Sequence, residues 1–383
     1  MTVSDNSMNI LLSDYEIAVA PTDRFKKSDI TPILFGLFGE VGSVMSASKK
    51  RQREESAFAG YMRDVEEEFG DTLWYVSALC RRFEIDLSKL FLEAINGSGY
   101  TLSVIANDDP GSPVAKAVTK ADLAPLDILL LRLGKQSANL LSLGDNPTNA
   151  KSHLLDFVKL YIDAVQASKV SFAAIVRGNI VKVRGRFLKP SIESLPDFDL
   201  NFSEEEQLPR KFRIEITQRA NSRSYLRWKG VFIGDPLSDN IGDPDGYRFH
   251  DVFHFANAAV LHWSPTFRAL IKHKRKSDKD VDEAQDSGRA IVIEEGLTAY
   301  IFSYAKTLNL FEGQTSVSFD LLKAVENFVR GYEVEDCPLH LWESAILQGY
   351  DVFRKVHEHN GGVIIGDREK RTLSFEPVEA KEV

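Results

Sequence analysis

Two short acidic motifs near the N-terminus carry residue types that suit metal chemistry. The first is GLFGEVGS at residues 36–43, which contains Glu40, and the second is EEFGDTLWY at residues 67–75, which contains Glu68 and Asp71. Residues three apart are neighbours on a helix surface. Two such helices packed side by side would gather these carboxylates at one point, where they repel unless a cation such as Mg²⁺ neutralises them. Carboxylate-bound Mg²⁺ is a common means of handling phosphates.

The residues around both motifs have helical periodicity and would position the acids. Apolar side chains recur on one face of each segment, while the acids fall on a neighbouring face. The apolar positions are Leu34, Leu37, Val41, Val44 and Met45 in the first segment, and Val65, Phe69, Val76, Cys80 and Phe83 in the second. The pattern predicts two packed amphipathic helices. A plainer interpretation is that both helices carry ordinary acidic surfaces.

The two motifs resemble those of the MazG-like family of all-α nucleoside triphosphate pyrophosphohydrolases. That family carries a pattern close to E-E-x-x-E, followed after a loop by E-x-x-D. Glu40 matches the second position of the first motif, and Glu68 and Asp71 match the second motif. Gly39 stands at the first Glu position, which many family members also lack, and Ser43 stands where the third Glu would be, so three of four expected carboxylates remain. The resemblance covers about residues 9–96.

The resemblance implies a Mg²⁺- or Mn²⁺-dependent enzyme that converts a nucleoside triphosphate to a monophosphate and pyrophosphate. It implies that Glu40, Glu68 and Asp71 hold the metal ion. Glu67 and Glu68 are the catalytic candidates, and Glu67 would accept a proton from the attacking water. Because Ser43 cannot supply charge, an alternative places the chemistry in a metal-dependent hydrolase in the C-terminal domain and makes the MazG-like part a nucleotide sensor. A non-enzymatic, nucleotide-responsive module of a larger assembly is another.

Three further residues are candidates for contacts with the substrate. Lys49 and Lys50 lie in the basic segment between the two motifs, where they would offset phosphate charge. The alternative for this segment is a solvated loop. Trp74 could stack on a nucleotide base, but an aromatic residue on a helix is more often part of the core.

Composition shifts divide the chain into helical and mixed regions. Gly-, Asp- and Pro-rich segments mark the predicted linkers. The predicted order is a MazG-like helical domain at 1–100, a linker at 101–120, a second helical region at 121–190, a linker at 191–211, an α+β domain at 212–376 and a tail at 377–383. The sequence therefore predicts a mainly α protein with a C-terminal α+β domain, in which residues 212–217, 225–233 and 362–365 form strands.

The second helical region is interpreted as a degenerate copy of the first. Its end, with Asn179, Lys182, Arg186 and Phe187, resembles the N-x-x-K-x-x-x-R-F close of many MazG-like domains. Since members of that family pair two such units, a fused pair could act as an internal dimer. The alternative is an unrelated helical hairpin. A homo-oligomer is a further expectation.

A second group of metal-type residues lies in the C-terminal region. His250 and His254 are four apart on a predicted helix, so both imidazoles point the same way, and Asp251 follows the first histidine. Glu294 and Glu295 begin another predicted helix about forty residues later. The two histidines and the two glutamates are the candidate ligands of a transition metal such as Zn²⁺ in a metal-dependent hydrolase. Asp251 is not one of these candidates.

This C-terminal pattern leaves several interpretations open. The order of histidines and acid resembles that of gluzincin metallopeptidases, although Asp251 replaces their Glu. The His-Asp pair is also found in HD-type phosphohydrolases. The plainest alternative is that both histidines are satisfied by internal hydrogen bonds. Nearby, the basic cluster at 272–276 is interpreted as a stretch of charged residues that faces solvent.

Composition limits the function classes. The chain has 383 residues and a formal net charge of −9, which argues against broad electrostatic binding to nucleic acid. Its two cysteines, Cys80 and Cys337, cannot form a disulfide framework, which suits a reducing cytoplasm. No apolar run approaches the length of a membrane span. We therefore expect a cytoplasmic protein with a nucleoside triphosphate as its partner and no membrane association.

Overall fold

In a computed structural model, the chain forms two compact units. The first unit comprises Met1–Leu188 and the second Lys189–Val383. The structure describes residues 12–96, 101–102, 118–119, 122–144, 147–191 and 195–378.

The first unit is helical apart from one small pair of strands in its described residues. The strands β1 (Thr101–Leu102) and β2 (Val118–Thr119) pair antiparallel, inside the predicted linker 101–120. The helices are α1 (Leu12–Val19), α2 (Thr31–Glu54), α3 (Tyr61–Arg82), α4 (Leu87–Asn96), α5 (Leu126–Leu140), α6 (Ala150–Ser168) and α7 (Phe172–Phe187).

One continuous core joins these helices. The apolar stripes of α2 and α3 face each other, α5 packs against α2, and α7 packs against α3. Fully buried residues such as Phe69, Leu133 and Tyr161 belong to the same cluster. The two predicted helical regions therefore share a single core. The interpretation of the second region as a degenerate copy, and the predicted domain bounds, stay predictions.

The second unit combines helices with a five-stranded antiparallel sheet. The strands are β3 (Lys211–Gln218), β4 (Ser224–Trp228), β5 (Val231–Leu237), β6 (Gly361–Asp367) and β7 (Thr372–Glu376), and their order in the sheet is β5-β4-β3-β6-β7. The helices are α8 (Asp251–Ala256), α9 (Pro265–Ile271), α10 (Lys279–Gln285), α11 (Gly288–Lys306), α12 (Phe319–Phe328) and α13 (Leu339–His359). The predicted fold class, mainly α with an α+β C-terminal part, is confirmed.

Alternation of apolar and polar residues sets the buried face of the sheet. Phe212, Ile214 and Ile216 on β3 are buried, whereas the residues between them are exposed or half-buried. These buried residues share a core cluster with residues of α8 and α13. A π-helical turn, Asn257–Leu261, follows α8 directly. Such turns occur often at functional sites, and this one lies beside the histidine cluster described below.

Among the described residues, no helix combines the length and the apolar character needed to cross a bilayer.

Candidate metal centres

The first candidate centre is a cluster of three carboxylates in the first unit. Glu40 lies on α2, and Glu68 and Asp71 lie one turn apart on α3. One oxygen from each residue falls within 4.8 Å of the other two. We call this set the carboxylate cluster. The packing of α2 against α3 thus brings together the three residues that the two motifs single out.

Close approach of α2 and α3 depends on a glycine. A Cβ at Gly36 would lie 2.1 Å from Cζ of Tyr75, a distance that no packed pair of carbon atoms tolerates. Gly36 lies one turn before Glu40, and Tyr75 lies one turn after Asp71. The contact between the Tyr75 ring and the bare backbone of α2 therefore helps to set the distance across the carboxylate cluster.

Crowding changes the protonation of the carboxylate cluster. The pKa of Glu40 is raised from 4.5 to about 8 by burial, by the negative charge of Asp71, and by a hydrogen bond and charge repulsion with Glu68. The pKa of Tyr75 is raised to about 12, by burial and then by the charges of Glu40 and Asp71. Without a cation, Glu40 therefore keeps a proton near neutral pH. A divalent cation would remove the need for that proton.

Two residues of α7 complete the surroundings of Asp71. The Asn179 side chain donates a hydrogen bond from Nδ2 to Asp71 Oδ1 at 3.1 Å, and Lys182 donates from Nζ to Asp71 Oδ2. Asn179 in turn accepts a hydrogen bond from the hydroxyl of buried Tyr15 at 2.8 Å. Sequence reasoning gave neither α7 residue a role. The N-x-x-K spacing was the available signal, because it places both on one helix face.

Glu67 lies beside the carboxylate cluster and pairs with the same lysine. Lys182 Nζ is 2.5 Å from Glu67 Oε1. Burial by itself would lower the pKa of Lys182, but attraction from Asp71 and Glu67 outweighs it, so that pKa is raised. Lys182 therefore places a positive charge beside the carboxylate cluster and Glu67.

The structure separates the other first-unit candidates from the carboxylate cluster. Residues 49 and 50 belong to the last turns of α2 and not to a loop, and Lys50 Nζ lies 4.0 Å from the centre of the Phe58 ring. Both lysines are about 14 Å from Glu40 along the helix axis. Trp74 is only 7% exposed, and its indole donates to Thr22 Oγ1 at 2.8 Å. The structure therefore favours the core interpretation of Trp74 over base stacking.

The second candidate centre lies in the second unit, where α8 packs against α11. His254 Nε2 is 3.3 Å from Glu295 Oε1, and His250 Nε2 is 3.5 Å from Glu295 Oε2. One ligand atom from each of the three residues lies within 4.8 Å of the others. We call this set the histidine cluster. His254 is fully buried, His250 is 11% exposed and Glu295 is 37% exposed, measured on the side chains.

Glu294 lies behind the histidine cluster and is occupied by the protein itself. Its Oε1 accepts from Asn257 Nδ2 at 3.1 Å, and its Oε2 accepts from the Ser264 hydroxyl at 3.1 Å and from the Thr266 amide at 2.9 Å. Its Oε1 also lies 3.1 Å from His254 Nδ1. Glu294 is fully buried and is not among the residues that converge as ligands. Glu294 therefore contacts His254 from outside the set formed by His250, His254 and Glu295.

Tyr247 and Asp251 border the histidine cluster. The Tyr247 ring stacks on the His250 ring with centroids 4.3 Å apart, and the Tyr247 carbonyl lies 2.9 Å from His250 Nδ1. Burial raises the pKa of Asp251, although both histidines act to lower it. Asp251 is buried and lies outside the converging set.

Comparison with family models gives a match in the second unit. Residues 193–379 match the MazG C-terminal domain. The match lies in the C-terminal part of the chain, whereas the resemblance of the two acidic motifs lies in the N-terminal part. The histidine cluster falls within the matched residues, and the carboxylate cluster falls outside them. No curated protein and no solved structure matched the chain.

Proposed function

We propose that the first unit is a Mg²⁺-dependent nucleoside triphosphate pyrophosphohydrolase, which converts a nucleoside triphosphate to a monophosphate and pyrophosphate. The convergence of Glu40, Glu68 and Asp71 within 4.8 Å carries this proposal. Their residue types and their distances suit a hard divalent cation. The MazG-family match in the second unit adds support at the level of the family.

The protonation of the carboxylate cluster supports the fit of a metal ion. The raised pKa of Glu40 means that the three acids do not all ionise together near neutral pH. Bound Mg²⁺ or Mn²⁺ would neutralise them, orient the phosphate oxygens and lower the pKa of an attacking water. Glu40, Glu68 and Asp71 are the proposed ligands. Mn²⁺ is proposed as an alternative because it also prefers oxygen ligands.

The remaining polar residues have proposed roles in proton transfer and charge balance. Glu67 lies next to the cluster without belonging to the converging set, so it is the proposed acceptor of the proton from water. Lys182 neutralises Glu67 and Asp71 in this structure. When a metal ion takes over part of that task, the ammonium group is available to offset phosphate charge. Asn179 orients Asp71 through its amide.

The experiment measures turnover by the full chain. Purified protein is incubated with Mg²⁺ or Mn²⁺ and a panel of nucleoside triphosphates, and the products are separated by chromatography. Glu68→Gln is the test variant. Glu66→Gln is the matched control, because Glu66 lies two residues before Glu68 on α3 and its charge interacts with Arg177. We expect monophosphate and pyrophosphate from the wild type and the control, and a loss of about 100-fold or more in Glu68→Gln.

Two other results would change the proposal. Equal turnover by Glu68→Gln and Glu66→Gln would reject the carboxylate cluster as the active centre. Nucleotide binding that depends on Glu68, without turnover of any substrate, would replace catalysis by sensing. The sensor alternative is favoured by Ser43, which lies one turn from Glu40 where the resemblance implies a carboxylate.

A further inference from the structure

The histidine cluster has a feature that separates it from an ordinary buried pair of histidines. Both nitrogens of His254 are buried, and neither has a hydrogen-bond partner of acceptable geometry among the described residues. Carboxylate oxygens nevertheless lie 3.1 Å and 3.3 Å away. Leaving a buried polar atom unsatisfied costs about 1–3 kcal/mol. The two glutamates therefore attract His254 by charge, without the well-directed hydrogen bonds that the plainest alternative requires.

The two imidazoles are oriented in the same sense. His250 Nδ1 lies 2.9 Å from the Tyr247 carbonyl oxygen, and His254 Nδ1 lies 3.1 Å from Glu294 Oε1. Each Nδ1 thus faces a protein oxygen, and a proton on each Nδ1 would leave both Nε2 atoms as the pair that a metal ion would use. Both Nε2 atoms point towards Glu295. Metal-binding histidines are typically held in this way, with the second nitrogen against a carboxylate or a backbone carbonyl.

Glu294 is itself fixed before any ligand arrives. Three donors, from Asn257, Ser264 and Thr266, hold its two oxygens. The π-helical turn that follows α8 begins at Asn257, and Ser264 precedes α9. The buried Glu294 carboxylate therefore contacts these three donors and, in addition, the His254 ring.

We infer that His250 Nε2, His254 Nε2 and Glu295 bind one divalent transition metal ion, and that Glu294 is a positioning residue for His254. Two imidazoles and a carboxylate are a ligand set for Zn²⁺ or Fe²⁺. Glu295 is the most exposed of the three side chains, so the side of the site next to it is open to a further ligand. Three protein ligands with an open position are typical of catalytic rather than structural centres.

Cobalt binding tests this inference on the full chain. The protein is stripped with chelator and titrated with Co²⁺, whose visible absorption reports nitrogen and oxygen ligation, and the natural metal is identified by elemental analysis. The Glu68→Gln variant serves as the background, which removes a ligand of the carboxylate cluster. We expect one Co²⁺ per chain with a visible spectrum, displaced by Zn²⁺.

Three substitutions in that background separate binding from structure. Glu295→Gln is expected to weaken Co²⁺ binding by more than about 100-fold, because it removes a charged ligand. Glu294→Gln is expected to weaken binding by about 10–100-fold with the stoichiometry unchanged. His359→Asn is the control, because His359 is an exposed histidine of the same unit whose Nδ1 contacts the Lys355 carbonyl.

The inference is overturned by either of two results. One is a Glu68→Gln protein that shows no stoichiometric Co²⁺ spectrum after chelator removal. The other is a protein with Glu295→Gln added to that background that binds Co²⁺ as the Glu68→Gln protein does. Because Glu295 is 37% exposed and Gln has nearly its volume, this variant is expected to fold, and circular dichroism checks that it has.

Discussion

The carboxylate cluster and the histidine cluster differ in what holds their acids in place. In the carboxylate cluster, Glu40 is pressed against other carboxylates, and its pKa is raised to about 8 by burial and by that crowding. Behind the histidine cluster, Glu294 is more deeply buried but is surrounded by three donors. A buried carboxylate is stable where donors face it, whereas one among other acids depends on a proton or a cation.

The two clusters also differ in how their ligands are aimed. The acids of the carboxylate cluster sit on two long helices whose separation is set by packing at Gly36 and Tyr75. Each histidine ring is oriented by its own contact: His250 by the Tyr247 carbonyl and His254 by Glu294. The first cluster is therefore sensitive to the distance between helices, and the second to individual hydrogen bonds.

The largest expected effect on stability comes from removal of Glu294, the acid that three donors surround. Glu294→Ala leaves Asn257, Ser264 and Thr266 with buried donors and no acceptor, so we expect a loss of about 3–5 kcal/mol in the free energy of unfolding. Glu295→Ala removes a partly exposed side chain, and we expect a loss of about 1 kcal/mol or less. Urea unfolding in chelator measures both. Equal losses would show that burial of Glu294 carries no special stability.

The next effect tests the distance between α2 and α3. Gly36→Ala places a Cβ 2.1 Å from Cζ of Tyr75, so we expect a loss of about 1–3 kcal/mol in stability and weaker Mg²⁺ binding. Gly39→Ala is the matched control, because its Cβ would meet nothing within 4 Å. That variant is expected to gain up to about 1 kcal/mol from helix propensity. Similar behaviour of the two variants in urea unfolding would contradict the role assigned to Gly36.

The proton held by Glu40 predicts a dependence of stability on pH in the metal-free protein. The pKa of Glu40 rises from its ordinary value of 4.5 to about 8 in the folded protein, so between those pH values the folded chain binds more protons than the unfolded chain. The free energy of unfolding should therefore fall as the pH rises from about 4.5 to 8.

Unfolding curves of Glu40→Gln over the same pH range test this dependence, because glutamine mimics the protonated acid. We expect a flatter profile than that of the wild type. Saturating Mg²⁺ should raise the stability of the wild type at pH 8. Identical profiles for wild type and variant would rule out Glu40 as the source of the slope.

The smallest effect concerns the missing fourth carboxylate. Ser43→Glu adds an acid one turn from Glu40, and we expect Mg²⁺ affinity to rise by roughly tenfold or less, because affinity follows the number of charged ligands. Ser46→Glu is the control, since Ser46 is exposed on the same helix and Ser43 is half-buried. Calorimetric titration compares them. An equal gain in both variants would indicate a general effect of charge and would contradict a ligand role for residue 43.

Much of this molecule could be predicted from local patterns. Periodic apolar positions gave the two helices that carry Glu40, Glu68 and Asp71, and alternation gave the strands of the second unit. The register of those strands and the distances between the carboxylate oxygens could not be predicted, because they depend on contacts between segments distant in sequence. The same reason explains why Asn179 and Lys182 were missed, since α7 reaches Asp71 across more than one hundred residues.

Arg275 shows how tertiary structure changes the meaning of a charge. The basic cluster that contains it, residues 272–276, was interpreted as charged residues that face solvent. Arg275 is in fact 1% exposed and pairs with Asp286 at 2.7 Å and with Glu333 at 2.6 Å. Such a pair is formed only when distant acids are brought to the guanidinium group in a dry interior.

The sequence by itself determined which residue types were present and which helix face each one occupied, because those follow from spacing along the chain. It therefore gave the three acids of the first cluster and the two histidines of the second. Only tertiary structure decided that Glu295 points to the histidines while Glu294 supports them from behind. The two residues are adjacent on α11, and the donors packed against that helix, from Asn257, Ser264 and Thr266, select between them.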